Sequence, residues 1–320
     1  MQMDDLLPGT DVGVVLPLPL DVPFTARAAA SFGLSHVRLR ALCQAGVIRR
    51  VVRGVYVGAM LPDSLQLRAA CLKLVVPEDA VVVDRHAGWL LGAQMVLAPG
   101  ENLEVRPLSI FRPAGRGRVH NELASSGERS LSRDDIVEIG GLRVTTPLRT
   151  AWDLGRVRWP DEAIAALDSM LRLGAFSHEE LLEGVDRFRG QRWVTTLRAI
   201  APLADGRSES PGESVLRLRC HENGLHGMTP QIVVRRDGEF IARLDLADED
   251  LRIAVEYDGV EWHGSPAQRL RDRERRSRVA ETGWDVEVFG KELVFGRQRL
   301  CDPILRGLHL RGVQRARRPA

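Results

Sequence analysis

The sequence lacks several features that would assign a protein to a class at once. No stretch of its 320 residues is apolar for the length that a membrane span requires, so we expect no membrane partner. Residues 1–7 carry two acids where a secretory signal has basic residues, which predicts no export signal. The four cysteines form no CxxC pair, which argues against a zinc site and a disulfide framework. These absences favour a reducing cytoplasm as the compartment. The cysteines are Cys43, Cys71, Cys220 and Cys301.

Lysine is also scarce, with two lysines against 43 arginines, so the arginine count alone says little about polyanion binding. The distribution of charge is more informative, because the net charge is only +2. Residues 22–62 contain six arginines and no acid, whereas residues 237–261 contain nine acids and two arginines. Residues 269–278 contain six arginines and two acids, and the last fifteen residues contain five arginines and no acid. These blocks predict polyanion contact in the basic segments and cation binding in the acidic one.

The length allows two or three domains, and the patterns divide the chain further. The predicted fold class is a multidomain α+β protein. We expect an irregular lead-in (1–21), a winged helix-turn-helix domain (22–60), a mixed α/β middle domain (61–160), a helical connector (161–204), an αβββαβ domain like that of restriction endonucleases (205–310) and a basic tail (311–320). Residues 204–212 are the best candidate linker, and the arginine-rich tail is expected to be a disordered arm.

The first structured segment has the order of a winged helix-turn-helix unit. Thr25 caps a short helix that ends at Gly33, and Ser35 caps a second helix through about Ala45. A hairpin that turns near Arg53 follows. In such units the second helix enters the major groove of DNA. The candidate DNA-binding residues are His36, Arg38, Arg40 and Gln44 on the helix and Arg49, Arg50 and Arg53 in the hairpin.

The alternative for this segment is a basic surface that is merely solvated. The complete absence of acids over residues 22–62 favours DNA contact. The apolar residues around the second helix are expected to form the small core of the unit; they are Phe32, Leu34, Val37, Leu39, Leu42 and Val47.

The rest of the chain alternates helical and extended patterns. Helices are predicted at 64–74, around 87–91, from Pro147 through Leu154, within 161–200 with a new cap at Ser177, at 213–223 and at 267–282. Strands are predicted at 80–83, 103–111, 231–236, 240–246, 252–258 and 284–289, with a hairpin over 138–144.

The strand over 252–258 carries the most informative pattern. Ile253, Val255 and Tyr257 alternate with Ala254, Glu256 and Asp258, so one face is apolar and the other acidic. Two acids on one strand face repel each other unless a cation lies between them, and a divalent metal is the usual one. If the preceding turn has an even number of residues, Asp245 lies on the same face, diagonally across from Glu256; an odd turn puts it on the opposite face.

These residues define a candidate site for phosphodiester hydrolysis. Asp245, Glu256 and Asp258 would bind Mg²⁺ or Mn²⁺, and His263 is the candidate proton carrier. Glu213, at the start of a helix, could add a carboxylate or could simply cap that helix. Arg273 and Arg275 on the following helix would hold nucleic-acid phosphates. The alternative is an acidic hairpin on a plain surface.

The order Glu213, Asp245, Glu256-Tyr-Asp-Gly259, His263, Asp272-Arg-Glu-Arg275 and Gly283-Trp284 resembles PD-(D/E)xK nucleases, and most of all the branch of the very-short-patch repair endonucleases. The resemblance covers about residues 207–295. It implies that Asp245 is the central Mg²⁺ ligand and that His263 matches a catalytic histidine. Asp258 stands where the superfamily has the lysine of its ExK motif, and Lys291 lies after the last strand.

Residues 22–155 resemble the AbiEi family of abortive-infection antitoxins. The similarity rests on Gly33-Leu-Ser35, Arg53-Gly-Val-Tyr56, Ala80-Val-Val-Val-Asp-Arg-His-Ala-Gly-Trp-Leu-Leu-Gly92 and Gly141-Leu-Arg-Val-Thr-Thr-Pro-Leu-Arg-Thr-Ala-Trp-Asp-Leu154. It implies a repressor that binds operator DNA and pairs with a cognate toxin.

Two functions therefore stay open on sequence grounds. The first is a metal-dependent DNA endonuclease or nickase guided by the N-terminal unit. The second is an antitoxin or repressor with a non-catalytic nuclease-like domain. The motifs do not distinguish DNA from RNA as the substrate of the first.

Overall fold

The computed structural model of the protein describes residues 18–101, 106–119, 123–259, 266–296 and 298–317, with the backbone alone at 266–270 and 272. Within these ranges the chain is mixed α and β, with sheets of three, five and four strands. No helix in the described ranges is both long enough and apolar enough to cross a bilayer.

The N-terminal unit follows the expected order of helix, helix and hairpin. Its elements are β1 (Phe24–Thr25), α1 (Ala26–Ser31), α2 (His36–Gln44), β2 (Ile48–Val52) and β3 (Val55–Gly58). The two helices begin where the sequence predicts, because the hydroxyl oxygens of Thr25 and Ser35 accept hydrogen bonds from the backbone of the first turns, at 3.0 and 3.2 Å. The hairpin turns at Gly54, whose φ of +82° favours glycine.

Half of the residues predicted for the core of this unit are buried. Leu34, Leu39 and Leu42 are buried. Phe32, Val37 and Val47 are not, with exposed fractions of 51%, 79% and 36%. Two residues along a helix correspond to about 200° of rotation, so Val37 points away from the side on which Leu39 packs. The exposed face of α2 is therefore more apolar than expected.

The middle part contains a five-stranded sheet with the order β6-β5-β4-β8-β7. The elements are α3 (Leu65–Lys73), β4 (Val81–Val82), α4 (Asp84–Leu90), β5 (Leu108–Pro113), β6 (Ala124–Arg129), β7 (Ile136–Ile139), β8 (Leu142–Thr145) and α5 (Pro147–Gly155). Strand β6 was not expected, because its sequence Ala-Ser-Ser-Gly-Glu-Arg has no apolar alternation. It is held by parallel pairing with β5. The start of the strand predicted at 103 lies outside the described residues.

The predicted helical connector and linker do not separate two bodies. Helices α6 (Pro160–Leu171), α7 (His178–Glu183) and α8 (Val194–Ile200) follow in order. Asp168 of α6 accepts hydrogen bonds from the backbone N–H of Asp205, at 2.8 Å, and from Arg217 Nη2, at 2.5 Å. One apolar core runs from Leu167 to Leu305 across this junction. Buried contacts therefore fix the segment that its composition marks as a linker.

The C-terminal part has the expected order of helix, three strands, helix and strand. Its elements are α9 (Pro211–Glu222), β9 (Thr229–Arg236), β10 (Glu239–Asp248), β11 (Ile253–Asp258), α10 (Pro266–Glu281), β12 (Asp285–Gly290), α11 (Lys291–Phe295) and α12 (Cys301–Ala316). Strands β9, β10 and β11 form an antiparallel meander, and β12 lies parallel to β11. Helix α10 packs on one face of the sheet, whereas α9 and α12 pack on the other.

The predicted disordered tail is helical up to Ala316, where α12 ends. Leu305 and Leu308 of α12 are buried in the core, and Arg311 and Arg315 both bind Asp285, at 2.8 and 2.9 Å. The hydrogen bond from Arg311, followed by the charges of both arginines, holds the pKa of Asp285 below its usual value. The apolar positions of α12 recur at helical spacing, and this pattern outweighs the high content of arginine.

Candidate functional site

The carboxylates of β10 and β11 meet where the two strands separate. The turn between them has four residues, 249–252, which is the even case and puts Asp245 on the side of Glu256. The paired ladder ends at Leu246 and Val255. At the next position, Asp245 Oδ2 accepts a hydrogen bond from the backbone N–H of Tyr257 at 2.9 Å. The side chain of Asp245 thus takes a place that a backbone carbonyl fills in a regular ladder.

The alternation of side chains along β10 also breaks at Asp245. Leu244 is buried in the core under α10, whereas Leu246 is buried in the core on the opposite face of the sheet. Residues two apart in a regular strand would share a face. This irregularity opens the sheet next to the carboxylate.

Glu213 reaches the same place from the first turn of α9. Ser210 caps the helix, since its Oγ accepts a hydrogen bond from the Glu213 N–H at 3.2 Å. Gly212 lets the helix approach β11 closely, because a Cβ there would lie 2.0 Å from the Tyr257 ring. Glu213 Oε2 accepts hydrogen bonds from the Glu209 N–H, at 2.8 Å, and from Gln231 Nε2, at 3.0 Å. The buried Glu213 therefore does more than cap its helix.

The charges of Glu213 and Glu256 act on Asp245, and we call these three residues the acidic cluster. Burial raises the pKa of Asp245 to about 6. The N–H of Tyr257 opposes this shift, and the charges of Glu213 and Glu256 add to it. The charge of Arg275 lowers the pKa of Asp245, but this is the smallest of the contributions. The cluster therefore carries more negative charge than the protein neutralises around Asp245.

Arg275 of α10 holds Glu256 in a fork. Its Nη1 and Nη2 donate to Oε1 and Oε2 at 2.7 and 2.8 Å. Glu256 is 7% exposed, so its charge is compensated inside the protein. This corrects two predictions. Glu256 is not available as a metal ligand while the fork persists, and Arg275, predicted to face a phosphate, faces a carboxylate. Arg273 is exposed, as a phosphate contact requires.

The other two predicted catalytic residues are Asp258 and His263. Asp258 is exposed at the end of β11, opposite Gly290 in the register with β12. It is not among the groups that chiefly shift the pKa of Asp245. The predicted metal set of Asp245, Glu256 and Asp258 is therefore not assembled as such. His263 lies outside the described residues.

The donor chemistry of the cluster fits Mg²⁺, but the arrangement is not a finished metal site. Carboxylate and amide oxygens are the ligands that this ion prefers. Gln231 Oε1 is buried beside Glu213 and has no hydrogen-bond partner among the described residues, so a further oxygen is available as a ligand. Among the described residues, however, no three His, Cys, Asp or Glu side chains are placed to hold a metal ion together. Asp245 and Glu213 would hold the ion, and Glu256 could join only after leaving Arg275.

No pattern in the sequence indicates Gln231 as part of this site. Its backbone φ of +61° is unusual for a residue with a side chain. Strain of this kind is found only in the structure, because a strand sequence does not reveal it.

The predicted DNA-binding residues of the N-terminal unit fall into two groups. Arg40, Gln44, Arg50 and Arg53 are exposed, and Arg38 is half-buried. Arg49 differs, because its Nη2 donates to the backbone carbonyl of Leu61 at 3.0 Å. This corrects the prediction for Arg49, whose guanidinium ties the hairpin to the chain that follows it.

We compared the sequence with those of known proteins. No family model matches the sequence. The chain is 32% identical over 248 residues to Uncharacterized protein MT2308 of Mycobacterium tuberculosis (strain CDC 1551 / Oshkosh), which covers 75% of this chain and 84% of that protein. It is similar to the same extent to Uncharacterized protein Rv2248 of Mycobacterium tuberculosis (strain ATCC 25618 / H37Rv). The chain therefore belongs to the family of these two mycobacterial proteins.

Proposed function

We propose that the protein is a divalent-cation-dependent endonuclease or nickase that its N-terminal unit directs to DNA. The observation that carries this proposal is the convergence of Glu213, Asp245 and Glu256 from α9, β10 and β11, next to the arginine-rich α10. Bringing like charges together is costly. Groups whose pKa is perturbed by burial and by specific charged neighbours are concentrated at functional sites, so the cluster is the best candidate for chemistry.

The order of elements in the C-terminal domain also supports this proposal. A helix, an antiparallel meander, a second helix and a parallel fourth strand are the αβββαβ order that the resemblance to PD-(D/E)xK nucleases implies. In that resemblance, Asp245 matches the central Mg²⁺ ligand. The paired register of β10 and β11 ends just before Asp245, whose carboxylate accepts from the backbone of β11 instead.

The residues of the cluster would have distinct tasks. When bound, Mg²⁺ or Mn²⁺ would polarise the phosphate and lower the pKa of a water molecule. Asp245 and Glu213 would hold it through their free oxygens. The exposed Arg273 and its neighbours on α10 would hold the phosphates of the substrate and so position it.

The exposed face of α2 supports DNA as the target. Val37, Arg40, Ala41 and Gln44 are all exposed and follow the spacing of one helix face. Arginine pairs with guanine, glutamine pairs with adenine, and small apolar side chains contact the thymine methyl group in the major groove. This face therefore has the residue types that read bases, and the arginines of the hairpin would contact phosphates.

Metal removal is the direct test of the nuclease proposal. Purified protein should nick or cut supercoiled plasmid in the presence of Mg²⁺ or Mn²⁺, and excess EDTA should abolish this, because the acidic cluster alone cannot polarise a phosphate. Agarose gels over time measure the conversion. Cleavage that continues unchanged in EDTA would contradict the proposal.

Two arginine variants test the DNA-binding surface. Arg53→Ala should weaken binding to all sequences and lower the slope of log K against log salt by about 1. Arg40→Ala should cost about 1–3 kcal/mol on the preferred sequence and reduce its preference over others. Fluorescence anisotropy with DNA from upstream of the coding region measures both effects. Arg192→Ala, which changes an exposed arginine outside this unit, is the control. Identical losses in all three variants would argue against a specific surface.

A second candidate function is favoured by the fork between Arg275 and Glu256. A Glu256 whose charge is neutralised in this way suits a DNA-binding repressor or antitoxin whose C-terminal domain is not catalytic and contacts a toxin partner. This candidate predicts metal-independent binding to the protein's own promoter that Asp245→Asn leaves unchanged, without cleavage in any divalent cation. Gel-shift assays in EDTA and in Mg²⁺ distinguish it from the nuclease.

A further inference from the structure

We propose that Arg275 is an exchangeable positive charge, which neutralises Glu256 in the free protein and moves to a nucleic-acid phosphate when a divalent cation binds the acidic cluster. This inference rests on the proposed nuclease function, and it deepens that function by linking cation binding to substrate binding through one side chain.

The geometry of the fork makes the two states exclusive. Both oxygens of Glu256 accept from Arg275, at 2.7 and 2.8 Å. A cation on Glu256 would face the guanidinium across the same oxygens, and like charges at such a separation repel strongly in a partly buried place. Glu256 can therefore serve either Arg275 or the cation.

The surroundings of the fork explain why the arginine is retained without a cation. Glu256 is almost completely buried, and Glu256 and Glu213 lie close enough to Asp245 for their charges to raise its pKa. Removing the guanidinium alone would leave a buried charge uncompensated, which is strongly destabilising. A divalent cation would compensate that charge in its place.

The position of Arg275 gives the displaced guanidinium a destination. Its side chain lies against Glu256 and is 34% exposed, so part of it can be reached from solvent. Arg271 and Arg278 lie four residues before it and three after it on α10, and both are exposed. A guanidinium binds phosphate with the same fork that it uses for a carboxylate. A nucleic-acid strand along this face of α10 would compete with Glu256 for Arg275.

Coupling of this kind must act in both directions. If a phosphate draws Arg275 away, Glu256 becomes available and the cluster binds a cation more tightly. By thermodynamic linkage, the cation raises the affinity for nucleic acid by the same factor, which for coupled sites is typically about 5–150-fold. The protein would thus assemble its cation site only on its substrate.

The test measures Mn²⁺ binding by electron paramagnetic resonance, with and without a phosphorothioate DNA duplex. Wild-type protein should bind Mn²⁺ at least about 5-fold more tightly when the duplex is present. Arg275→Gln, which keeps a hydrogen-bond donor and removes the charge, should bind Mn²⁺ more tightly than wild type without DNA and gain little from DNA. Arg192→Gln, the same change at an exposed arginine outside α10 and outside the N-terminal unit, should behave like wild type.

A second measurement guards against a folding defect in the variant. Without metal, Arg275→Gln should melt at a lower temperature than wild type, and Mn²⁺ should raise its Tm by more than it raises that of wild type. The cation would then replace the missing charge.

The outcomes separate this inference from the proposed function. If Arg275→Gln and wild type bind Mn²⁺ equally well with and without DNA, and Asp245→Asn abolishes this binding, the cation site exists and the role of Arg275 is wrong. If neither protein binds Mn²⁺ even with DNA, both the inference and the nuclease proposal fail.

Discussion

Replacement of Arg149 by alanine is expected to lower the free energy of unfolding by about 3–5 kcal/mol, a large part of the stability of a domain. Arg149 is 4% exposed, and it donates to Asp135 Oδ2 at 2.8 Å and to Asp153 Oδ2 at 2.9 Å. Both acids are buried as well. Removing the guanidinium leaves two buried carboxylates with less compensation, and urea denaturation measures the loss.

The same contacts predict how this loss depends on pH. Burial alone would raise the pKa of Asp135, but hydrogen bonds from Ser132, the charge of Arg149 and a hydrogen bond from Arg187 hold it below its ordinary value of 3.8. A carboxyl with a lowered pKa in the folded state contributes stability above its unfolded pKa and loses it as pH falls through the folded value. The destabilisation by Arg149→Ala should therefore be full at neutral pH and shrink in acid.

Arg198→Ala is the matched control for Arg149. Arg198 also pairs with an aspartate, Asp186, at 3.1 Å, but their side chains are 42% and 88% exposed. Exposed pairs contribute about 0–1 kcal/mol, so this variant should be nearly as stable as wild type. Equal losses in the two variants would mean that burial of the network around Arg149 does not decide its strength.

Asp245→Asn is expected to abolish DNA cleavage, with a loss of more than about 100-fold, since changes to outer partners of metal ligands alone cost about 10–100-fold. The amide keeps an oxygen that can accept from the Tyr257 N–H, so the strand opening should persist. What it loses is the charge that the nuclease proposal assigns to cation binding. The initial rate of plasmid nicking at saturating Mg²⁺ measures this effect.

The same substitution should stabilise the cation-free protein at neutral pH. The pKa of Asp245 is raised from 3.8 to about 6, chiefly by burial, so the folded protein binds the proton more tightly than the unfolded chain does. Ionising Asp245 then destabilises the fold progressively as pH rises from about 4 to 6, and fully above that range. We expect Asp245→Asn to gain about 1–2 kcal/mol at pH 8, after allowance for partial exposure, and almost nothing at pH 4.

Asp237→Asn supplies the control for both effects at Asp245. Asp237 lies on the turn between β9 and β10 with a side chain that is 94% exposed. The same chemical change there should alter neither cleavage nor stability at either pH. A variant at Asp245 that loses activity together with stability at pH 8 would indicate a structural role and count against the proposed site.

The sequence was sufficient where the deciding interactions are local. The caps at Thr25, Ser35 and Ser177 are hydrogen bonds within one helical turn, so their residue types predict them directly. The strands of the acidic hairpin follow from alternation over a few residues. The even turn before Ile253 had to be read from the structure, because both registers were open on sequence alone.

The errors lie where distant residues decide. Arg275 and Glu256 are 19 residues apart, and nothing in the spacing of α10 indicates that one of its arginines turns inward. The role of Arg149 was missed for the same reason, because Asp135 and Arg187 come from separate elements. The linker and the tail were misjudged by composition, since polar and basic side chains can still line a helix whose other side is buried.

By itself, the sequence determined most of the helices and strands, the split between basic and acidic segments, and the presence of carboxylates on β10 and β11. Only the tertiary structure decided which charges meet: Glu256 with Arg275, Glu213 with Gln231, and Arg149 with two aspartates. The physical reason is the distance along the chain over which each interaction acts. Caps and periodicity act within a few residues, whereas the pairing of buried charges depends on which elements the folded core brings together.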